Sequence, residues 1–250
     1  MKIIVPTKRV VDPDQKIRAS ADGSRFEIDH LPFVINPFDA IALEEAVRIR
    51  EQHSSDVEVV AVGIGVPEYE EQLRSAIAVG ADRAVRIACD QELDPWNISC
   101  VLKAFVDQES PDLVVMGKQA VDDDSNQVGQ FLAAQLGWPQ ATFASHVELS
   151  ESNLHIHRET DAGIEVVSMP MPAIITADLR LNEPRYASLP SIMRARKKKI
   201  EEVEIETLGV KIEPRVQVLS VRTEQSSRTC TRVDNVDQLL ECLRGEAEVL

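Results

Sequence analysis

The sequence predicts an α/β fold. It reads as a Rossmann-like open, mainly parallel sheet with helices on both faces, a small antiparallel β-hairpin insertion and an extended C-terminal arm. Three observations predict this. Apolar segments of strand length recur at residues 3–5, 57–62, 83–87 and 113–116, as expected for strands buried on both faces. Segments with helix start and stop signals alternate with them, and β-α alternation builds a parallel sheet. After Gly137-Trp138-Pro139 the period shortens to alternating strands with tight turns.

The gross numbers bound the function. The chain has 250 residues and a formal net charge of −15. That length allows one large α/β domain with an appendage. The negative charge argues against nucleic-acid binding, which requires phosphate neutralisation. Aromatic residues are only 4% of the chain, too few for a base-stacking platform. Cys89, Cys100, Cys230 and Cys242 form no C-x-x-C pair and read as free thiols in a reducing compartment. No apolar run reaches membrane-spanning length. Residues 1–5 already read as a strand, so no signal peptide is expected.

In chain order, Ile3-Ile4-Val5 opens a buried strand ended by Pro6, and Thr7-Lys8-Arg9 follows at its C-terminal end. Residues 12–31 are polar, with Asp22-Gly23 at the tip of a hairpin. Asn36 caps a helix, and Pro37 suits its first position. Phe38 reads either as packing or as a cofactor contact. The strand at 57–62 closes in Gly63-Ile64-Gly65, a G-x-G without the third glycine of a dinucleotide fingerprint. A helix over 68–79 ends at Gly80, a strand follows at 83–87, and Asp94-Pro95-Trp96 starts the next helix.

The sequence centres on residues 113–129. A buried strand turns at Gly117, passes Asp122-Asp123-Asp124 and enters a helix. Asp124 is expected to cap that helix, with Gln127 as a capping-box partner. The free amides of Asn126, Gln127 and Val128 would then point at a phosphate. No Lys-Ser/Thr pair follows the glycine, so this is not a Walker A loop. Three loops at strand C-terminal ends, at residues 6–9, 63–65 and 117–128, are expected to converge around a nucleotide.

Further on, residues 147–149, 154–158 and 164–167 read as short strands and 173–176 as a return to the sheet. His155 and His157 share a strand face, but no third ligand makes a zinc site. An irregular loop over 178–186 leads to Ser188-Leu189-Pro190, which starts a helix ending in the basic run 194–199. In the last fifty residues, 216–221 reads as a strand and 233–243 as a helix. With no core of its own, this part reads as an arm that docks elsewhere.

These segments resemble one family closely. The matching parts are residues 5–18, Asn36-Pro37-Phe38 with Leu43-Glu44-Glu45-Ala46, Gly80-Ala81-Asp82-Arg83, residues 117–129, Trp138-Pro139-Gln140 with Thr142-Phe143-Ala144-Ser145, and residues 176–200. The most specific stretch is Ala177-Asp178-Leu179-Arg180-Leu181-Asn182-Glu183-Pro184-Arg185-Tyr186-Ala187. The sequence resembles the β (small) subunit of electron transfer flavoprotein over nearly its whole length. The resemblance implies an adenine-nucleotide-binding α/β domain at residues 1–200 and an arm at 201–250 docking on a partner α subunit. It implies a heterodimer whose α subunit holds most of one FAD, with AMP bound to the β subunit as a redox-inert, structural ligand. Such a carrier is not an enzyme. It takes electrons from acyl-CoA or related flavoprotein dehydrogenases, in fatty acid β-oxidation among other routes, and passes them to the respiratory chain through a membrane quinone oxidoreductase. It is not itself membrane-embedded and binds no nucleic acid. It would sit in the cytoplasm of a bacterium or the mitochondrial matrix of a eukaryote.

Carried over by position, the nucleotide-binding residues implied are Pro6, Asn36, Pro37, Phe38, Asp39, Ile64, Gly117, Lys118, Gln119, Ala120, Val121, Asp122, Asp123, Asp124, Ser125, Asn126, Gln127 and Val128. Phe38 would lie near the flavin edge. Leu189 would anchor a loop that recognises dehydrogenases, with Tyr186, Pro190, Ile192 and Met193 around it, and Glu159 would face the FAD domain. No metal and no catalytic residue is implied. Three residues depart from the family pattern: Val128 stands where threonine is usual, Pro13 where a tyrosine is common, and Pro6 in place of a small residue. The alternative is an ATP-using or nucleotide-sensing protein of a related fold, against which the Pro6-Thr7-Lys8-Arg9 loop lacks a Ser-Gly-Gly phosphate loop.

Overall fold

A computed structural model describes residues 1–53, 57–150, 153–223, 230–245 and 249. The strands and helices, in order, are β1 (Lys2–Pro6), β2 (Arg9–Val11), β3 (Phe33–Ile35), α1 (Pro37–His53), β4 (Glu58–Gly65), α2 (Tyr69–Val79), β5 (Arg83–Ala88) and α3 (Pro95–Glu109). They continue with β6 (Leu113–Gly117), α4 (Val128–Leu136), β7 (Gln140–Leu149), β8 (Asn153–Thr160), β9 (Gly163–Pro170), β10 (Ala173–Ala177), α5 (Leu189–Ala195), β11 (Glu201–Glu204) and α6 (Val236–Gly245).

The main sheet has nine strands in the order β11-β5-β4-β1-β6-β10-β7-β8-β9. Every pair from β11 to β7 is parallel, while β7–β8 and β8–β9 are antiparallel. The parallel α/β architecture expected from the sequence is therefore present, with a separate two-stranded antiparallel sheet of β2 and β3. The short strands after Gly137 are longer than their local patterns indicate. They extend the main sheet to its far edge.

Successive residues of β1 feed opposite faces of the sheet. Ile3 and Val5 join one core with Leu43, Ala46 and Leu73 of α1 and α2. Ile4 joins the other with Leu102 and Phe105 of α3 and Leu132 of α4. A strand covered by helices on both sides needs apolar residues at every position, and Ile3, Ile4 and Val5 are all fully buried. Local signals end the helices where they should. Asp94 accepts the amide of Asn97 at the start of α3, with Pro95 next to it, and Gly80 closes α2 at φ 152°.

By its contacts the chain divides into two units, Met1–Lys16 with Ile28–Leu219, and Ile17–Glu27 with Ser220–Leu250. Residues 201–219, expected in the arm, belong to the first unit. β11 pairs with β5 in the main sheet, and Asn97 Nδ2 donates to the carbonyl of Glu213 at 2.8 Å. In the second unit the hairpin at Asp22-Gly23 forms as expected, with an Ala19–Phe26 bridge and the Asp22 carboxylate accepting from Ser20 and Ser24. The strand expected at 216–221 is absent, since no neighbouring strand offers it a ladder. The expected helix is α6, which starts three residues later than its apolar pattern. The arm's residues 224–229, 246–248 and 250 lie outside the described residues.

Candidate functional site

Two polar side chains of the α1 N-terminus fasten the loops at the C-terminal strand ends. Asn36 Nδ2 donates to the carbonyl of Gln119 at 2.8 Å, and its Oδ1 accepts the amide of Val121 at 3.2 Å. Asp39 accepts the amide of Lys8 at 2.8 Å and that of Gly117 at 3.0 Å. Asn36 stands before the first residue of α1 as expected, but its side chain fixes the loop after β6 instead of capping the helix. Burial pushes the Asp39 carboxyl up to about 7, against the pull of the Lys8 and Gly117 amides.

The loop after β6 differs from the expected capping box. α4 starts at Val128, and Gln127 before it makes no side-chain cap. Asp124 lies a full turn too early and adopts φ 49°, as Asn126 does at φ 50°. Both residue types tolerate this left-handed conformation. The Asp124 carboxylate instead accepts from Gln119 Nε2 at 2.7 Å. Lys8 Nζ pairs with Asp122 at 2.8 Å and Asp123 at 3.0 Å. Burial alone would lower the Lys8 pKa, but these two carboxylates raise it. The charges that would repel a phosphate are thereby partly neutralised. Among the described residues, no hydrogen bond uses the amides of Asn126, Gln127 or Val128.

The three loops do converge. They line a cleft of about 480 Å³ with the ends of β1, β4 and β6 around it, within the range of small-molecule sites. Of the residues expected at a nucleotide, Pro6, Asn36, Asp39, Ile64, Gly117, Lys118, Gln119, Ala120, Asp122, Asp123, Ser125, Asn126, Gln127 and Val128 line it. Pro37, Phe38, Val121 and Asp124 do not. Phe38 is buried, with its Cβ packed where a side chain on Gly117 would go. The cleft also takes residues outside the expected set. Tyr69 lies over Gly63 and Gly65, whose Cβ atoms would meet its ring at 2.7 and 2.5 Å. Leu93, Ile98 and Leu102 add an apolar wall. A tyrosine four residues after a G-x-G turn was the available signal for the first; the wall residues carry no local signal. The cleft lining thus combines backbone amides of the loop before α4 with an apolar wall.

Lys118 occupies the cleft rim. Its Nζ pairs with Asp178 at 2.8 Å and lies 4.7 Å from the Phe143 ring and 5.4 Å from the Phe38 ring. Burial would raise the Asp178 carboxyl, but Lys118 holds it below the usual range. Among the described residues no histidine, cysteine and carboxylate group is placed to hold a metal.

The residues expected at a partner surface fall into two sets. Leu189 is 72% exposed, Tyr186 100%, and Pro190 and Met193 are exposed with them. Ile192 instead packs against the core. Glu159, at the end of β8, accepts Arg180 Nη1 at 2.6 Å.

A parallel sheet whose strand ends close a cleft around a helix N-terminus defines an open α/β protein of the doubly wound class. Comparison with known proteins is more specific. The family model for the electron transfer flavoprotein domain matches residues 26–208. Electron transfer flavoprotein subunit beta of Bradyrhizobium diazoefficiens is 45% identical over 250 residues, covering 100% of both chains. The human protein of that name is 42% identical over 98% of this chain and 97% of its own. The Arabidopsis thaliana protein, whose name adds "mitochondrial", is 44% identical over 100% of both. The chain belongs to the electron transfer flavoprotein β-subunit family. It is therefore a subunit of a flavin-dependent electron carrier and not an enzyme with its own substrate. No helix among the described residues is long and apolar enough to cross a membrane.

Proposed function

We propose that the chain pairs one-to-one with an electron transfer flavoprotein α subunit, which holds most of one FAD, and that the cleft described above binds AMP. The pair takes electrons from acyl-CoA or related flavoprotein dehydrogenases and passes them to a membrane quinone oxidoreductase, and so to the respiratory chain. Bound FAD supplies the redox chemistry. The residues of this chain position and support it. In this reading Leu189 anchors dehydrogenases, Glu159 faces the FAD domain, Phe38 stands toward the flavin from beneath the cleft rim, and the arm docks on the α subunit. The complex works in the bacterial cytoplasm or, in a eukaryote, in the mitochondrial matrix.

One observation carries the AMP reading. The cleft is lined by Asn126, Gln127 and Val128, whose amides at a helix N-terminus donate no hydrogen bond among the described residues, and by the apolar Ile64, Ile98 and Leu102. Helix N-terminal amides favour a phosphate, and the apolar wall favours a base. Val128 brings no hydroxyl and Pro6 no amide donor, so the phosphate would depend on backbone groups. Co-expression with an α subunit tests the assignment. The expected product is a yellow one-to-one complex, with the lone chain colourless. A stoichiometric flavin on the lone folded chain would contradict it.

A further inference from the structure

The segment before Leu189 has no regular secondary structure, yet it is tied to α1 residue by residue. Asn182 Nδ2 donates to the carbonyl of Ile41 at 3.1 Å and to Glu45 at 2.9 Å. Arg48 Nη2 donates to the carbonyl of Glu183 at 3.2 Å. The amide of Arg185 donates to Glu44 at 3.2 Å, and its guanidinium forks between two carboxylates. Nε and Nη2 reach Glu44 at 2.8 and 3.0 Å, and Nη1 and Nη2 reach Glu51 at 2.5 and 2.9 Å.

Glu44 is the centre of this arrangement. Its side chain is 2% exposed, and it also accepts Arg48 Nε at 2.7 Å. Burial would raise its carboxyl, but the Arg185 and Arg48 guanidiniums hold it below the usual range. A buried carboxylate with every lone-pair direction occupied orients its partners strongly, and a bidentate arginine adds a fixed plane. The far end of the segment has a second tie. Arg74 Nη1 on α2 donates to the carbonyls of Ala195, Arg196 and Lys198 at 3.3, 3.2 and 3.0 Å. Between the two ties stand the exposed Tyr186, Leu189 and Met193.

We propose that Glu44 and Arg185 are positioning residues for dehydrogenase docking: their ion pair, buried at its Glu44 end, holds residues 182–185 on α1 and so presents Leu189 in a fixed place. The inference rests on the docking reading of Leu189 given above. Fixing a coil before encounter removes the ordering cost from each docking event. Loosening the clamp therefore weakens docking without touching electron transfer within the docked pair.

The test uses the full chain in its FAD-containing complex with an α subunit, in three variants. Arg185→Lys keeps the charge and loses the fork, Glu44→Gln keeps the shape and loses the charge, and Leu189→Ala removes the anchor. Two measurements are made on each. One is hydrogen exchange at the Ser191 and Ile192 amides, both bonded to Ser188. The other is steady-state reduction by an acyl-CoA dehydrogenase reduced with its acyl-CoA. For both clamp variants the expected result is about tenfold faster exchange and an about tenfold higher KM for the complex, with kcat within about twofold. A merely structural pair would lower the melting temperature and leave exchange and KM at wild-type values, which overturns the proposal. A raised KM in Leu189→Ala with unchanged KM in both clamp variants also overturns it, and leaves the docking reading intact. If Leu189→Ala does not move KM, the docking reading falls and this proposal with it. Failure of both clamp variants to fold makes the pair a core element, which again overturns the proposal.

Discussion

The carboxylate of Asp39 accepts the amide of Gly117 at 3.0 Å, and no side chain can stand between them. A Cβ on Gly117 would lie 2.4 Å from Asp39 Oδ1 and 2.7 Å from Phe38 Cβ. That close approach joins the start of α1 to the turn after β6. It therefore fixes the cleft loop from below.

Gly117→Ala should separate these two elements. Overpacking of this kind costs about 1–3 kcal/mol, and the displaced loop should lose its ligand. Chemical denaturation and titration of the α-bound complex with AMP check both. An unchanged midpoint with unchanged AMP affinity would show that the contact can relax freely.

Asp39 also gives the fold a pH dependence of definite sign. Its carboxyl stands at about 7 in the folded chain against 3.8 in the ordinary state, chiefly through burial. The folded chain then holds a proton between those values that the unfolded chain releases. The stability from this group is complete below 3.8 and is lost as pH rises through about 7. Asp39→Asn should flatten that fall. Unfolding free energies of both proteins, measured from pH 4 to 8, should converge or cross as pH rises; parallel curves would contradict the shift.

The parts of the molecule legible in the sequence are those written in short-range pattern. The buried strands, the Asn36-Pro37 helix start and the glycine ends at Gly80 and Gly117 follow from propensity and sterics within a few residues. The start of α4 differs from its sequence pattern because Asp124 offers a cap that the helix does not use. The left-handed turns at Asp124 and Asn126 that postpone the helix show no clear local signal. The apolar wall at Leu93, Ile98 and Leu102 and the Arg185–Glu44 pair show no local signal for another reason. Their partners are far away in sequence, and only the sheet order brings them together. The strand expected at residues 216–221 failed similarly, since an apolar run becomes a strand only beside another.

Val128→Thr tests which groups meet the phosphate. Val128 opens α4 at the cleft, so a threonine there adds a hydroxyl donor beside the free amides. One added hydrogen bond of about 0.5–1.5 kcal/mol corresponds to about two- to tenfold tighter AMP. Calorimetry with AMP on the nucleotide-free complex measures it. Unchanged affinity would place the phosphate elsewhere.

Leu189 and Ile192 should respond oppositely to truncation. Leu189 is exposed, so Leu189→Ala should shift stability by less than about 0.5 kcal/mol while slowing reduction by a dehydrogenase. Ile192 packs against the core, so Ile192→Ala should lower stability by about 2 kcal/mol or more. Thermal melts and stopped-flow reduction on matched preparations distinguish them.

The nucleotide content of the purified complex decides whether the cleft is an AMP site. The complex with an α subunit is denatured, and the released small molecules are separated and quantified against protein. One FAD and one AMP per pair are expected, with AMP lost from Gly117→Ala while FAD remains. FAD without AMP in the wild-type complex, or two FAD per pair, would contradict it.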